Sequence, residues 1–267
     1  MDYLAWIELL ESSKKIINLI NPKIWCKKII YFYNYYCRSP YNILIYGCSG
    51  AGKSEFIRAL LDKQVTEYPT QRTQTIDDCK MVFSNGRKIR FYDLPGHVIH
   101  ISTRQIALNM ISQKKIKGII NVVTYGYNEV EDHTISDIFC DTNSNHFIVK
   151  ESYLAANKKL ELKQIEEWMT FIHNNSNVKC VMTVVTKADI WYLQKEQVLS
   201  YYKTGMYYKK CIEKLSKICH TSVFPYCSII SPFGNKPMFL SFNERDKQRM
   251  HREFKEELFK IIKNGNK

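Results

Sequence analysis

Apolar residues along this chain follow two spacings. Short, nearly continuous apolar runs alternate with stretches in which apolar positions recur every three or four residues. The runs at 41–46 (YNILIY), 117–124 (KGIINVVT) and 178–186 (VKCVMTVVT) are short and mostly apolar, which predicts buried strands. Two more runs, 78–84 and 87–93, flank Asn85-Gly86. Asn-Gly between β-rich runs predicts a two-residue hairpin turn with positive φ at both positions. A last strand is expected at 222–229. Helical spacing predicts helices over 54–63, 101–114, 151–173, 195–218 and 242–263, the last opened by a Ser241-x-x-Glu244 capping box. Six strands, one hairpin and right-handed crossovers make an α/β fold. Its sheet is mostly parallel, six-stranded, with one antiparallel edge strand, and helices cover both faces in three layers.

Two segments stand apart from this alternation. Residues 1–38 form an expected N-terminal helical extension, with 39–267 as the main domain. Leu4, Ile7, Leu10, Lys14 and Ile17 fall at helical spacing, and Asn21-Pro22 breaks that helix. A second helix, 23–36, mixes Ile24, Trp25, Ile29, Ile30 and Phe32 with Lys23, Lys27 and Lys28. Such a basic amphipathic helix can lie on an anionic bilayer, or pack on the main domain or a partner chain. Residues 125–150 are polar, locally acidic and unpatterned, and are expected as a loop insertion that either recognises a partner or is an inert excursion.

With 45% apolar and 24% charged residues among 267, the chain suits one large α/β domain with an appendage. No run of about 18 uncharged apolar residues occurs, so no spanning helix is expected. Glu8 and Glu11 interrupt any signal-peptide pattern, and neither a myristoylation nor a prenylation motif is present. Nine scattered cysteines without a C-x-x-C pair fit reduced thiols in a cytosol. Cys211, Cys219, His220 and Cys227 match no common zinc spacing. The expected location is cytoplasmic, with peripheral membrane contact as an option. The net charge of +13 points to an anionic partner, whether membrane head groups, RNA or an acidic protein. A lysine-rich composition can also follow from an AT-rich genome.

Candidate chemistry gathers in three motifs. Gly47-Cys48-Ser49-Gly50-Ala51-Gly52-Lys53-Ser54 is a complete G-x-x-x-x-G-K-S phosphate-binding loop between a predicted strand and a predicted helix. Its glycines let backbone N–H groups crowd phosphate oxygens, aided by the positive end of the helix that follows. Lys53 would reach the β- and γ-phosphates, and the Ser54 hydroxyl would ligate Mg²⁺. Further along comes 91–97 (FYDLPGH). Asp93 at a strand end beside the phosphate loop would hold Mg²⁺ through water, and Gly96 would offer its N–H to the γ-phosphate. Last, 186–189 (TKAD) follows an apolar strand. A buried Asp189 accepts from guanine N1–H and the 2-amino group, donors that adenine lacks there, while the Lys187 stem lies along the base or ribose.

In this order the motifs resemble the Ras-like and translation-factor branch of P-loop GTPases, over roughly 41–263. The D-L-P-G-H stretch looks like that of elongation factors and of the Sar and ADP-ribosylation-factor-like small GTPases. The resemblance implies a P-loop NTPase fold, GTP and GDP as ligands, and Mg²⁺. It assigns nucleotide contacts to Gly47, Ser49, Gly50, Ala51, Gly52, Lys53, Ser54, Glu55, Gly96, Thr186, Lys187, Asp189 and Ser228, and metal contacts to Ser54, Thr70 and Asp93. It makes His97 the residue that orients the attacking water, with Lys53 and Thr70 beside it in catalysis. Thr70 is the expected switch threonine, ahead of Thr73 and Thr75; Arg72 is either an internal arginine finger or a surface residue.

Two positions depart from the family pattern. Ser49 stands where Ras-like members often need glycine, which argues for slow hydrolysis. The late guanine-contact loop is reduced to Cys227-Ser228-Ile229. The expected function is a GTP-hydrolysing molecular switch with loops at about 66–76 and 93–104 changing between states, and with a protein effector or regulator. The alternatives are a non-hydrolysing GTPase-like scaffold that docks a partner or membrane through its N-terminal helices, and an ATP-driven enzyme if Asp189 does not face the base.

Overall fold

The structure is a computed structural model describing residues 22–63, 77–83, 85–94, 109, 116–129, 138–140, 148–173, 177–231, 233 and 242–264. The chain divides into two compact units. One comprises Met1–Pro40 and Lys80–Ile89, the other Tyr41–Cys79 and Arg90–Lys267.

In the first unit, helix α1 (Pro22–Phe32) runs on into a π-helical turn, Tyr33–Cys37. Asn34 is buried and donates its side-chain amide to the Asn85 carbonyl at 2.9 Å. The hairpin differs from the two-residue turn expected. Phe83 N–H donates to Arg87 O (2.9 Å) and Gly86 N–H to Phe83 O (2.8 Å), and of Asn85 and Gly86 only Gly86 has positive φ, at 79°. The loop is therefore one residue longer, and the Asn85 side chain accepts from Arg87 N–H instead of its backbone turning left-handed.

The main sheet has strand order β2–β3–β1–β4–β7–β8 and is parallel save for one antiparallel strand, with helices flanking it. Its members are β1 (Tyr41–Gly47), β2 (Asp77–Val82), β3 (Lys88–Asp93), β4 (Gly118–Val123), β7 (Cys180–Val185) and β8 (His220–Pro225). Every residue of β4 and β7 is buried, as central parallel strands covered on both faces require. Gly47, Val122, Val184 and Phe224 lie in one register row, so these four strands end along one edge. Trp168 of α3 (Glu151–His173) stacks on Tyr46 at 5.1 Å. Phe56 of α2 (Lys53–Leu60) meets Phe254 of α7 (Glu244–Asn264) at 5.3 Å.

Several sequence expectations are corrected. The helix expected over 195–218 is broken. The short helix α4 (Ala188–Trp191) comes before α5 (Lys195–Lys203), which stops where Thr204 and Gly205 both donate to Ser200 O, and the chain resumes in a π-helical turn at Tyr208–Ile212 and α6 (Glu213–Ser216). The last strand starts and ends earlier than 222–229. α7 starts two residues later than the expected 242, with Asn243 Oδ1 accepting from Asp246 N–H at 3.1 Å; Ser241 of the expected capping box lies outside the described residues. The segment 125–150 is not wholly a polar excursion. Tyr125, Tyr127, Ile138, Phe139 and Val149 are buried in the core, and β5 (Phe139–Cys140) pairs antiparallel with β6 (Ile148–Val149). Apolar residues this sparse carry no periodicity, so only the fold reveals their burial. The helices expected at 4–20 and 101–114, except Asn109 of the latter, lie outside the described residues.

Candidate functional site

Motifs far apart in sequence meet at the edge where the strands end, the location open α/β sheets use for ligands. The phosphate loop leaves β1 and enters α2 through Gly50 (φ 70°) and Gly52 (φ 77°), a left-handed path closed to most side chains. Lys53 is 7% exposed and donates to the carbonyls of Gly47 and Cys48, each at 3.0 Å, which folds it back along its own loop. Burial pulls its pKa below the usual lysine value, opposed by the nearby Asp93 carboxylate. Ser54 Oγ donates to Asp93 Oδ2 at 3.1 Å, joining the start of α2 to the end of β3. Glu55, in the first turn of α2, lies 4.0 Å from Arg58.

The loops after β7 and β8 lie at the same strand edge. Thr186 Oγ1 lies 2.7 Å from Ala51 O and 3.1 Å from Val123 O, so it ties the phosphate loop to the sheet. Its own carbonyl accepts from Trp191 Nε1 at 2.7 Å. Lys187 is left-handed (φ 57°); its ammonium lies 5.1 Å from the Phe233 ring centre and 2.9 Å from Glu129 Oε2. Asp189 is 4% exposed, and its carboxylate accepts from Ser231 N–H (3.3 Å) and Cys227 Sγ (3.5 Å). Burial raises its pKa despite those donors. Ser228 Oγ is buried with no hydrogen-bond partner among the described residues. Thr70, Thr73, Thr75, Arg72, Gly96 and His97 lie outside the described residues.

A third wall escaped the sequence reading. Asn128 Nδ2 donates to Ser49 O at 3.2 Å and Glu129 N–H to Gly50 O at 3.2 Å, so the turn after β4 is bonded directly to the phosphate loop. A Cβ on Gly50 would lie 1.8 Å from Glu129 O. This turn is held from behind by Glu161 of α3, which is 2% exposed. Glu161 Oε1 accepts from Thr124 N–H (2.9 Å) and Gly126 N–H (3.2 Å), and Oε2 from Tyr202 OH (2.7 Å), which itself accepts from Tyr125 N–H. Desolvation outweighs these donors and raises its pKa. Two unread signals lay in the sequence: a Thr-Tyr-Gly stretch directly after a buried strand, and one carboxylate on the apolar stripe Leu154, Glu161, Ile165, Trp168, Ile172.

Cys48 of the phosphate loop, half-buried, donates to Gln164 Oε1 at 3.0 Å, and burial pushes its thiol pKa up to about 12. No helix among the described residues is long and apolar enough to cross a membrane. Residues 42–187, more than half of the chain, match the family described as 50S ribosome-binding GTPase. No curated protein matches the chain.

Proposed function

The chain belongs to the 50S ribosome-binding GTPase family, and from that premise we propose that it is a switch controlled by GTP binding and slow hydrolysis. The observation that carries the guanine assignment is the buried carboxylate of Asp189, bonded to Cys227 and Ser231 on either side of the loop that carries the orphaned Ser228 hydroxyl, at the strand edge where the phosphate loop also lies. A guanine would give Asp189 its N1–H and 2-amino donors, and Ser228 a partner; adenine leaves the acid unmatched. The N–H groups of 50–54 and the Lys53 ammonium would hold the triphosphate.

Ser54 and Asp93 fit Mg²⁺, because a hydroxyl and a buried carboxylate 3.1 Å apart are the hard oxygen donors this ion takes. Thr70 would complete their set. The ion would supply charge neutralisation between the β- and γ-phosphates. Gly96 would then sense the γ-phosphate and His97 would orient the attacking water. Ser49 in place of glycine supports a slow hydrolytic step and a long-lived GTP state.

The test is equilibrium binding of fluorescent GTP and ATP analogues with Mg²⁺. Preference for GTP, lost in Lys53→Ala, supports the reading; equal affinity for both purines removes it. His97→Ala should keep binding and slow turnover. Large ribosomal subunits are the partner class that the family description suggests, and pelleting with them in GTP but not GDP would identify the switch's target.

A further inference from the structure

The first compact unit carries a surface that the nucleotide site does not use. From Ser12 to Ser54 the chain has no carboxylate side chain. Residues 22–40 and 80–89 together hold seven basic residues, Lys23, Lys27, Lys28, Arg38, Lys80, Arg87 and Lys88, and no acidic one. Lys27, Lys28, Arg38 and Lys80 are exposed. Between these cations lies a stripe of large apolar side chains open to solvent. Ile29, Phe32, Tyr33 and Tyr36 fall at i, i+3, i+4 and i+7, and are 56, 48, 55 and 70% exposed.

This surface is built, not a loose tail. Asn34, on the opposite side of the helix, bonds to the Asn85 carbonyl. The turn presses so close that a Cβ on Gly86 would lie 2.2 Å from Tyr31 O. Tyr31 stacks on Tyr35 at 5.9 Å and Phe32 on Tyr36 at 5.8 Å, while Lys88 sits 5.1 Å above Tyr35.

An exposed apolar stripe of this size marks a docking surface, and its composition selects the occupant. Aliphatic and aromatic tips among lysines and arginines suit the boundary between head groups and acyl chains, where long basic stems keep their charges in the anionic layer. RNA fits less well. It would use ring faces for stacking, and Tyr31, Tyr35, Phe32 and Tyr36 already have one face each against another ring of this set; it has no use for exposed Ile29, Ile30 and Val82. We propose that the α1 helix and the Asn85-Gly86 hairpin form a peripheral membrane-binding face for an anionic lipid leaflet, with Ile29, Phe32, Tyr33 and Tyr36 inserting and Lys28, Arg38 and Lys80 at the head groups.

The full chain is sedimented with vesicles of phosphatidylcholine alone and of equal parts phosphatidylcholine and phosphatidylglycerol. It should bind the anionic vesicles, weaken as salt rises, and ignore the neutral ones. Lys28→Ala should weaken partitioning roughly fivefold, from the usual contribution of a lysine near an anionic leaflet. Ile29→Ser/Phe32→Ser should weaken it even at low salt. Both variants should keep wild-type nucleotide affinity, which shows that they fold and separates this surface from the nucleotide site. Failure of the wild-type chain to bind anionic vesicles overturns the proposal, whether residues 1–21 or a protein partner cover the stripe. So does equal binding by the variants, or binding of single-stranded RNA by this face in place of vesicles.

Discussion

Gly50 and Gly52 allow a controlled comparison inside the phosphate loop. Both are left-handed, at φ 70° and 77°, and both would become alanine by adding one carbon. Their surroundings differ. Nothing lies within 4 Å of a Cβ on Gly52, whereas a Cβ on Gly50 meets Glu129 O at 1.8 Å, its C at 2.5 Å and its N at 2.7 Å. Gly52→Ala therefore pays only the left-handed strain, about 1–2 kcal/mol. Gly50→Ala carries the same strain and must also push a backbone carbonyl from 1.8 Å to at least 3.0 Å, which no side-chain rotation can do. That displacement ruptures Glu129 N–H to Gly50 O and Asn128 Nδ2 to Ser49 O, each about 1 kcal/mol net and more if the groups stay buried. Gly50→Ala should thus be roughly 2–4 kcal/mol more costly than Gly52→Ala. Urea denaturation of nucleotide-free protein measures the difference through the midpoint at constant slope. Equal destabilisation by the two substitutions would refute the claim that the turn after β4 is a wall of the phosphate loop.

Other expectations follow from the same contacts. Asp189→Asn places an amide N–H opposite guanine donors, so GTP affinity should fall by about 3 kcal/mol or more, over a hundredfold; xanthosine triphosphate, with a carbonyl at that position, should gain, and an unchanged GTP dissociation constant would exclude Asp189 from base recognition. Glu161 has a native pKa raised above its ordinary 4.5 by burial, so its contribution to stability is complete below that pH and is lost as pH rises through the native value. The stability difference between Glu161→Gln and wild type should therefore be flat below about pH 4.5 and shift in favour of the glutamine at higher pH; a difference independent of pH would contradict it. The Lys187–Glu129 pair is half-exposed on the glutamate side, so Glu129→Gln should change stability by less than about 1 kcal/mol in denaturation; a loss several times larger would mean that the pair is far better shielded than its exposure indicates.

The sequence alone determined what is local in cause. Apolar runs without alternation specified the central strands, because a parallel strand covered on both faces has no polar side. The phosphate loop was legible because its glycines are dictated by backbone conformation, and its lysine and serine by the chemistry of a triphosphate. The burial of Asp189 in the T-K-A-D stretch was legible for a similar reason, since the stretch follows directly from a buried strand.

Tertiary structure decided what depends on which chain segments meet. Glu161, 108 residues beyond Lys53 in the sequence, supports the phosphate loop only because α3 crosses behind the β4 turn, and no local pattern encodes that crossing. The buried aromatic residues of 125–150 looked like a polar loop for the same reason. The hairpin turn is one residue longer and α7 starts two residues later than expected, because the side chains of Asn85 and Asn243 accept from nearby backbone N–H groups. Spacing along the chain records what each segment prefers by itself; burial and hydrogen bonding between segments settle which of those preferences survive.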